Sequence, residues 1–433
     1  MSHLKLSLVV ATALTGSLGF AASANAQAFY LQEQSARAAG RAFSGEAADT
    51  GAASLWWNPA SIAGMTEGEA TISGSLILPH GEVTDTGTLI RRPGGTFAPV
   101  GGDTTTRNPI NKGVLPSGAI AIPLGDRVAL GLAVTSPYSF TTDYPETSWA
   151  RYSALKTELR TIDIQPSLAV AVTDWLRVGA GVNVEYTDAS LANALPNVSA
   201  ALPDGKQELK GNGWDFGWSA GFQMHNDVVT IGVSYKSAIK HNLKGDLEVS
   251  GLVGPLAGSN LSLSDITANF YTPAQVIVGA RFRLSDRLTL NGQGVHYGWS
   301  KFDAIRIGAP VNAAIPENYR DTWSLAGGFD YDASSKLTLR AGVQRTQTPT
   351  RDGERDARVP DSDRWNYGVG ASYALTPKFT LDAGANYVDF ENATIDRVTA
   401  AYAGTAAQTP ILTSGTLTDA RALVFSLGGR LRF

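Results

Sequence analysis

Few side chains in this sequence could support acid–base, nucleophilic or metal chemistry, and their spacing argues against all three. Cysteine is absent, which removes disulfides, thiolate metal sites and thiol nucleophiles. Past the first 26 residues the histidines are His80, His225, His241 and His296. His225 abuts a tight turn, His80 and His241 fall at loop edges, and His296 stands alone on a strand. No serine shares a predicted face with a histidine at matching height, as a Ser–His pair requires. No set of residues has metal-ligand spacing either. The sequence therefore reads as no enzyme, and no cofactor is expected. The charges of interest are three cations, Lys236, Arg320 and Arg340, which face parity turns toward the interior of the strands described next. A cation in a partly dry site can hold a carboxylate, although each could equally pair with Asp163, Glu185 or Asp330.

What must position these residues is a chain of unusual composition. The formal charge is −4 and no run of Lys or Arg suggests nucleic acid. Lys5, the uncharged stretch Leu6 to Phe20 and the motif Ala24-Asn25-Ala26 predict an export signal over residues 1–26, with a mature chain from Gln27. Beyond it no apolar run reaches the roughly 18 residues of a spanning helix. Yet 43% hydrophobic residues stand beside 46 glycines and 9 tryptophans.

Period-two alternation runs down the whole chain. Ile162, Ile164, Leu168, Val170 and Val172 oppose Thr161, Asp163, Gln165, Ser167 and Ala169. Trp214, Phe216, Trp218, Ala220 and Phe222 oppose Asp215, Gly217, Ser219, Gly221 and Gln223. The second face is small and polar, with few of the Lys and Glu residues of solvated strands. That suits a lumen, with the aliphatic face toward lipid and Trp and Tyr as interface girdles. Fourteen strands are predicted, near 69–79, 116–124, 127–137, 158–172, 175–187, 213–224, 228–237, 271–284, 287–299, 320–332, 336–346, 364–375, 378–389 and 420–433. Tight joins such as Gly125-Asp126, Asn226-Asp227 and Thr376-Pro377 alternate with long ones, the outer-membrane pattern of short turns on one side and long loops on the other. The expected fold is all-β: a transmembrane antiparallel β-barrel over 68–433, closed without a partner and so a monomer among outer-membrane lipids. A last strand ending in Phe433 fits the signal read by the outer-membrane assembly machinery.

Residues 27–67 do not alternate. They are rich in Ala, Gly and Ser and carry Trp56-Trp57-Asn58-Pro59-Ala60, a turn inside an apolar stretch. So apolar a segment favours burial, and a barrel of this size has a lumen to fill. The expectation is an N-terminal plug folded inside it.

At this point the residues resemble a known family. Gln34-Ser35-Ala36, Gly40-Arg41-Ala42, Gly45-Glu46-Ala47-Ala48 and Asn58-Pro59-Ala60 look like the hatch of FadL-type outer-membrane transporters. Tyr235-Lys236-Ser237, Asp321-Thr322-Trp323 and Pro360-Asp361-Ser362-Asp363-Arg364 look like their strand-rim segments. The resemblance implies passive passage of long-chain fatty acids or of aromatic and aliphatic hydrocarbons. It also implies capture at apolar loops, binding in the lumen, a shift of the hatch and sideways exit beside a kinked third strand. The third predicted strand runs through Ser136 into Pro137, and the fourth contains Pro166. Proline cannot donate to a ladder, so these residues mark either a local opening or merely a strand end and a bulge. The loop stretches Leu191 to Leu202 and Leu252 to Leu263 are apolar; they either expose a capture groove or pack on one another. A surface adhesin or a general porin are the competing functions.

Overall fold

The computed structural model describes residues 28–433, so the expected leader over 1–26 lies outside the described residues. Fourteen antiparallel strands form the wall. The first seven are β1 (Glu69–Asp85), β2 (Gly113–Pro123), β3 (Val128–Thr135, resumed as Ser139–Asp143), β4 (Lys156–Ala171), β5 (Leu176–Leu195), β6 (Gly205–His225) and β7 (Val229–Lys236, resumed as Ile239–Ser250). The rest are β8 (Leu261–Thr272, resumed as Ala274–Arg283), β9 (Leu288–Gly298), β10 (Thr322–Asp332), β11 (Leu337–Thr346), β12 (Arg364–Ala374), β13 (Phe379–Phe390) and β14 (Thr409–Arg432). Each pairs with its successor, and β14 returns to β1 in a ladder from Glu69↔Arg432 to Asp85↔Gly415. The sheet is closed. Closure leaves no strand edge in the hydrocarbon layer, where an unmade backbone hydrogen bond costs several kcal/mol.

All fourteen predicted strands are present, and the tight turns fall on one side. The alternation sets which face meets lipid. On β6, Trp214, Phe216 and Trp218 point outward, Phe216 being 68% exposed, while Asp215 and Ser219 are buried. Side chains this apolar and this exposed belong against acyl chains.

The strands extend well beyond their predicted outer ends, because the alternation changes sign there. In β7 the inward residue Lys236 is followed by a two-residue break, after which Ile239, Leu243, Leu247 and Val249 face in and Lys240, Lys244 and Glu248 face out. Lys206 and Lys210 on β6 are likewise exposed above the tryptophans, with Leu209 buried. The apolar face turns inward where lipid gives way to water. Leu191 to Leu195 accordingly belong to β5 rather than to a loop. Leu195, Val249, Leu252 and Leu256 pack together, so these two apolar stretches cover each other.

Residues 28–63 are almost entirely buried. They pack against strands around the whole ring, through a short helix α1 (Ala36–Ala39) capped by the Ser35 hydroxyl and three 3-10 turns. The inward glycines of the wall make this approach possible. A Cβ on Gly342 would stand 2.1 Å from the Arg41 carbonyl oxygen, and one on Gly232 would stand 1.9 Å from that of Ala47. A Cβ on Gly292, by contrast, would meet nothing within 4 Å. Gly342→Ala should therefore cost about 1–3 kcal/mol through overpacking, and Gly292→Ala far less. Thermal unfolding of the two purified variants in detergent, followed by circular dichroism, checks this ordering.

Candidate functional site

Where the apolar face turns inward, the wall encloses a greasy chamber above the N-terminal segment. Its lining includes Phe140, Leu159, Leu209, Leu243, Phe270 and Phe302, and Phe29 of the N-terminal segment also borders it. Its free volume is about 80 Å³, about half of a dry cavity of roughly 150 Å³ known to admit benzene. Phe29 belongs to an aromatic cluster, with ring centroids 5.0 Å from Trp299 and 5.3 Å from Phe302, both edge-on. Tyr319 adds a ring 4.8 Å from Phe302.

A larger vestibule of about 720 Å³ lies above, bounded by Tyr152, Leu195, Val249, Leu252 and Val398. Between the two spaces sits a cluster of charges. Arg358 borders both. Arg397 pairs with Asp356 at 2.7 Å and with Glu317 at 3.8 Å, and also donates to the Pro316 carbonyl. Arg358 reaches Asn193 Oδ1 at 3.3 Å and Asp356 at 3.9 Å. Burial, reinforced by Asp356 and Glu354, outweighs Arg397 and Arg358 and pushes the Glu317 carboxyl up to about 7.

Below the chamber the third strand is broken. The β2–β3 ladder ends at Gly118↔Val134, so Gly113–Ser117 have no partner in β3. The β3–β4 ladder lapses between Thr135↔Asp163 and Ser139↔Arg160. Residues 136–138 turn inward and bond to the N-terminal segment. Leu31 N donates to the Pro137 carbonyl at 2.7 Å, Ser139 N donates to that of Phe29 at 3.1 Å, and Tyr30 forms an antiparallel bridge with Tyr138. Gln34 spans the gap. Its amide donates to the Ser136 carbonyl at 3.0 Å, and its backbone carbonyl accepts from Ser117 Oγ at 2.8 Å.

Ser136 and Pro137 thus sit at the break itself. Pro166 does not: it keeps its partner Leu132 in β3 and instead interrupts the β4–β5 ladder between Ile164↔Val184 and Ser167↔Gly181. The longer lapse is between the second and third strands, where Gly113–Ser117 lack a β3 partner, while the third and fourth strands part only over residues 136–138. Of the three cations, Lys236 is buried, its ammonium 3.7 Å from the Trp56 ring and 3.5 Å from Gln165 Oε1. Arg340 is also inside but engaged with Asp330 at 2.9 Å and Ser372 at 2.5 Å. Arg320 departs from the parity reading. It precedes β10 rather than lying within it, and its side chain is exposed beside Asp363 and the Thr348 carbonyl. Asn58 N-caps the turn Pro59–Ile62 and donates to the carbonyls of Ala47 and Phe222, fixing that turn to β6. Trp56 and Trp57 meet edge-on at 5.1 Å, and Trp56 stacks on Tyr30.

Sequence reasoning missed Phe29, Trp299, Phe302, Glu317, Tyr319 and Arg358. The available signal was Trp299 at the end of the ninth predicted strand, followed by Phe302 and Tyr319 in the loop after it.

The chain matches the family described as outer membrane protein transport protein (OMPP1/FadL/TodX) over residues 17–433. It is similar to outer membrane protein P1 of Haemophilus influenzae, 28% identical over 86% of this chain and 88% of that protein. It is also similar to the long-chain fatty acid transport protein of Escherichia coli O6:H1, 25% identical over 89% of this chain and 90% of that one. Among solved structures, a Pseudomonas aeruginosa FadL homologue superposes with a TM-score of 0.81 at 24% identity, covering 93% of this chain and 99% of that one. The Ralstonia pickettii toluene transporter TbuX gives a TM-score of 0.63 at 20% identity, covering 92% and 98%.

The buried acid between the two spaces gives a pH dependence of definite sign. Glu317 keeps its proton up to about 7 when the outer region is packed, against an ordinary value of 4.5 when it is exposed. Between those values the opened state has released a proton that the packed state retains, so packing weakens as pH rises through this window and levels off above it. Limited proteolysis of residues 299–319 in purified protein should accelerate from pH 4.5 to 7. Glu317→Gln should flatten the profile.

Proposed function

The chain belongs to the outer membrane protein transport family (OMPP1/FadL/TodX), and from that premise we propose how its residues pass a hydrophobic compound across the outer membrane. The family consists of passive outer-membrane transporters, not enzymes, so the energy comes from the concentration gradient. An amphipathic cargo, a long-chain fatty acid or a hydrocarbon, collects in the vestibule and slides into the apolar chamber. Residues 28–63 act as a plug. Deeper still, Lys236 against Trp56 offers a cation to a carboxylate and a contact to the plug at once. The exit is sideways, through the wall between β2 and the break at Ser136 and Pro137.

One observation carries this reading. Phe29 borders the chamber with its side chain, and its backbone carbonyl bonds the broken third strand. The chamber is too small for a long chain as it stands, so cargo displaces Phe29. Displacing Phe29 also frees residues 137–139 and takes Gln34 with it, which leaves Gly113–Ser117 facing a gap. Entry and exit are then coupled mechanically, without an added energy source.

Locking the plug to the break tests this. Tyr30 and Tyr138 are directly opposed, at a separation of about 4.5–5.5 Å in antiparallel pairs that a disulfide can span. The chain has no other cysteine. In cells lacking their own transporter, the double variant Tyr30→Cys/Tyr138→Cys should take up oleate at least about tenfold more slowly when oxidised than when reduced. Equal uptake in both states would show that this contact does not open during transport.

A further inference from the structure

The N-terminal segment bounds a second space, at the opposite end of the lumen from the chamber and on the side of the tight turns. There a pocket of about 340 Å³ opens between the segment and the wall. Arg37 and Gly64 border it from the segment, Glu67 and Glu69 from where β1 begins, Arg177 from β5, and Arg430 and Arg432 from β14. Four guanidinium groups thus face two carboxylates, of which Glu67 is exposed to water. A Cβ on Gly64 would lie 4.0 Å from Arg177 Nε, so this guanidinium sits directly against the segment.

The arginines are unequally engaged. Asp382 holds Arg430 at 2.7 Å, and Arg432 lies 3.6 Å from Glu69. Arg37 reaches Asp49 at 3.2 Å, but that carboxylate also serves Arg41 and Arg281, while Asp330 serves Arg41, Arg281 and Arg340. With Glu46 included, the network behind Arg37 sets four guanidinium groups against three carboxylates, and the buried Nε of Arg37 bonds nothing. Arg177 is partly buried and has no hydrogen-bond or ion-pair partner among the described residues. The titratable group that feels its charge, His225, is another base. Two positive charges are left over, one at Arg177 and one in the network that ends at Arg37. A cation drawn out of water without a partner is costly, and an anion touching both places removes that cost.

We propose that this pocket binds a phosphate group from the periplasmic side, bridging Arg177 of the wall to Arg37 of the N-terminal segment. A phosphate monoester carries about two negative charges at neutral pH and three strong acceptor oxygens, which matches the surplus in count. The planar fork of a guanidinium fits phosphate oxygens better than a point charge does. A single carboxylate would answer only one of the two cations. Because the pocket is walled on one side by the segment and on the other by β5 and β14, its ligand fastens the segment to the wall at the end remote from the broken third strand. The proposal goes beyond the transport reading and does not depend on it.

Calorimetric titration of the purified full-length protein in detergent with inorganic phosphate, against sodium chloride at matched ionic strength, tests the proposal. Phosphate should give a saturable heat at one site per chain, and chloride none. Arg177→Gln should weaken phosphate binding about 10–100-fold, the range expected of one charge-assisted hydrogen bond, and Arg177→Lys should restore part of the loss. Arg287→Gln, an exposed arginine on a tight turn outside the pocket, should bind as the unaltered protein does. Phosphate should also raise the thermal unfolding midpoint of the unaltered protein, as any ligand of the folded state does, and raise that of Arg177→Gln far less. Phosphatidylglycerol added to the micelles separates two sources of the same group: a lipid headgroup competes with the phosphate titration, whereas a soluble ester as the natural ligand leaves it unchanged, and either result keeps the site. No saturable heat from phosphate in the unaltered protein would overturn the proposal without recourse to a variant. Equal losses in Arg177→Gln and Arg287→Gln would reduce the binding to general ionic attraction and overturn it too. Neither outcome touches hydrophobic uptake, which the locked Tyr30→Cys/Tyr138→Cys protein tests separately.

Discussion

A backbone amide inside hydrocarbon must find a carbonyl, and this wall depends on that requirement. Thirteen successive ladders and the β14–β1 return satisfy it nearly everywhere. Short interruptions fall at Pro166 and at residues 237–238, and a longer lapse lies in the third strand, where residues 136–138 abandon β2. Such a defect in a bilayer-facing wall would cost several kcal/mol for each lost bond unless something replaced the missing strand. The N-terminal segment replaces it, with Leu31, Phe29, Tyr30 and Gln34 taking up the free groups. The wall is therefore complete only with that segment in place.

The same dependence explains the glycine content. A lumen face of Gly and Ser suggests an open water-filled interior when read as composition. Here those positions are small because backbone of residues 36–63 lies against them, closely enough at Gly232 and Gly342 that a methyl group would overlap a carbonyl oxygen. Small residues on the inner face and the buried N-terminal segment are two halves of one packing solution.

Much of this was legible in the sequence, for physical reasons. Alternation at period two is imposed by the strand itself, and the contrast between lipid and lumen is steep, so all fourteen strands and their turns could be read directly. The burial of residues 28–63 followed from their apolar character. What failed was extrapolation of one polarity rule past the membrane. Beyond Lys236 the outer surface meets water, and a break at Ser237 and Ala238 shifts parity, so Ile239 and Leu243 point inward where parity would turn them out. That inversion creates the apolar chamber and hid it from a reading that took lipid-facing and apolar as synonyms. Arg320 failed for a related reason: parity was carried past the end of β10 into the rim. Glu317 and Arg358 were illegible because residues distant in sequence converge there, and no local pattern announces such a cluster.

The forces holding the N-terminal segment are unevenly distributed, which decides what part of it can yield. On the side of β8, β10 and β11 a buried ionic network grips it. Arg41 pairs with Glu46, with Asp49 at 2.6 Å and with Asp330 at 2.9 Å, and Arg281 joins Asp49 at 3.2 Å and Asp330 at 2.7 Å. Removing one member of such a pair leaves a stranded charge, at about 3–5 kcal/mol. On the side of the break the links are neutral hydrogen bonds, each contributing about 0.5–1.5 kcal/mol net. Bond for bond, the polar links of Phe29 through Gln34 to the break are weaker than those of Arg41. On the route proposed above, a cargo entering from above would meet Phe29 first, at the end held by neutral bonds, and its displacement there would leave the Arg41 network in place.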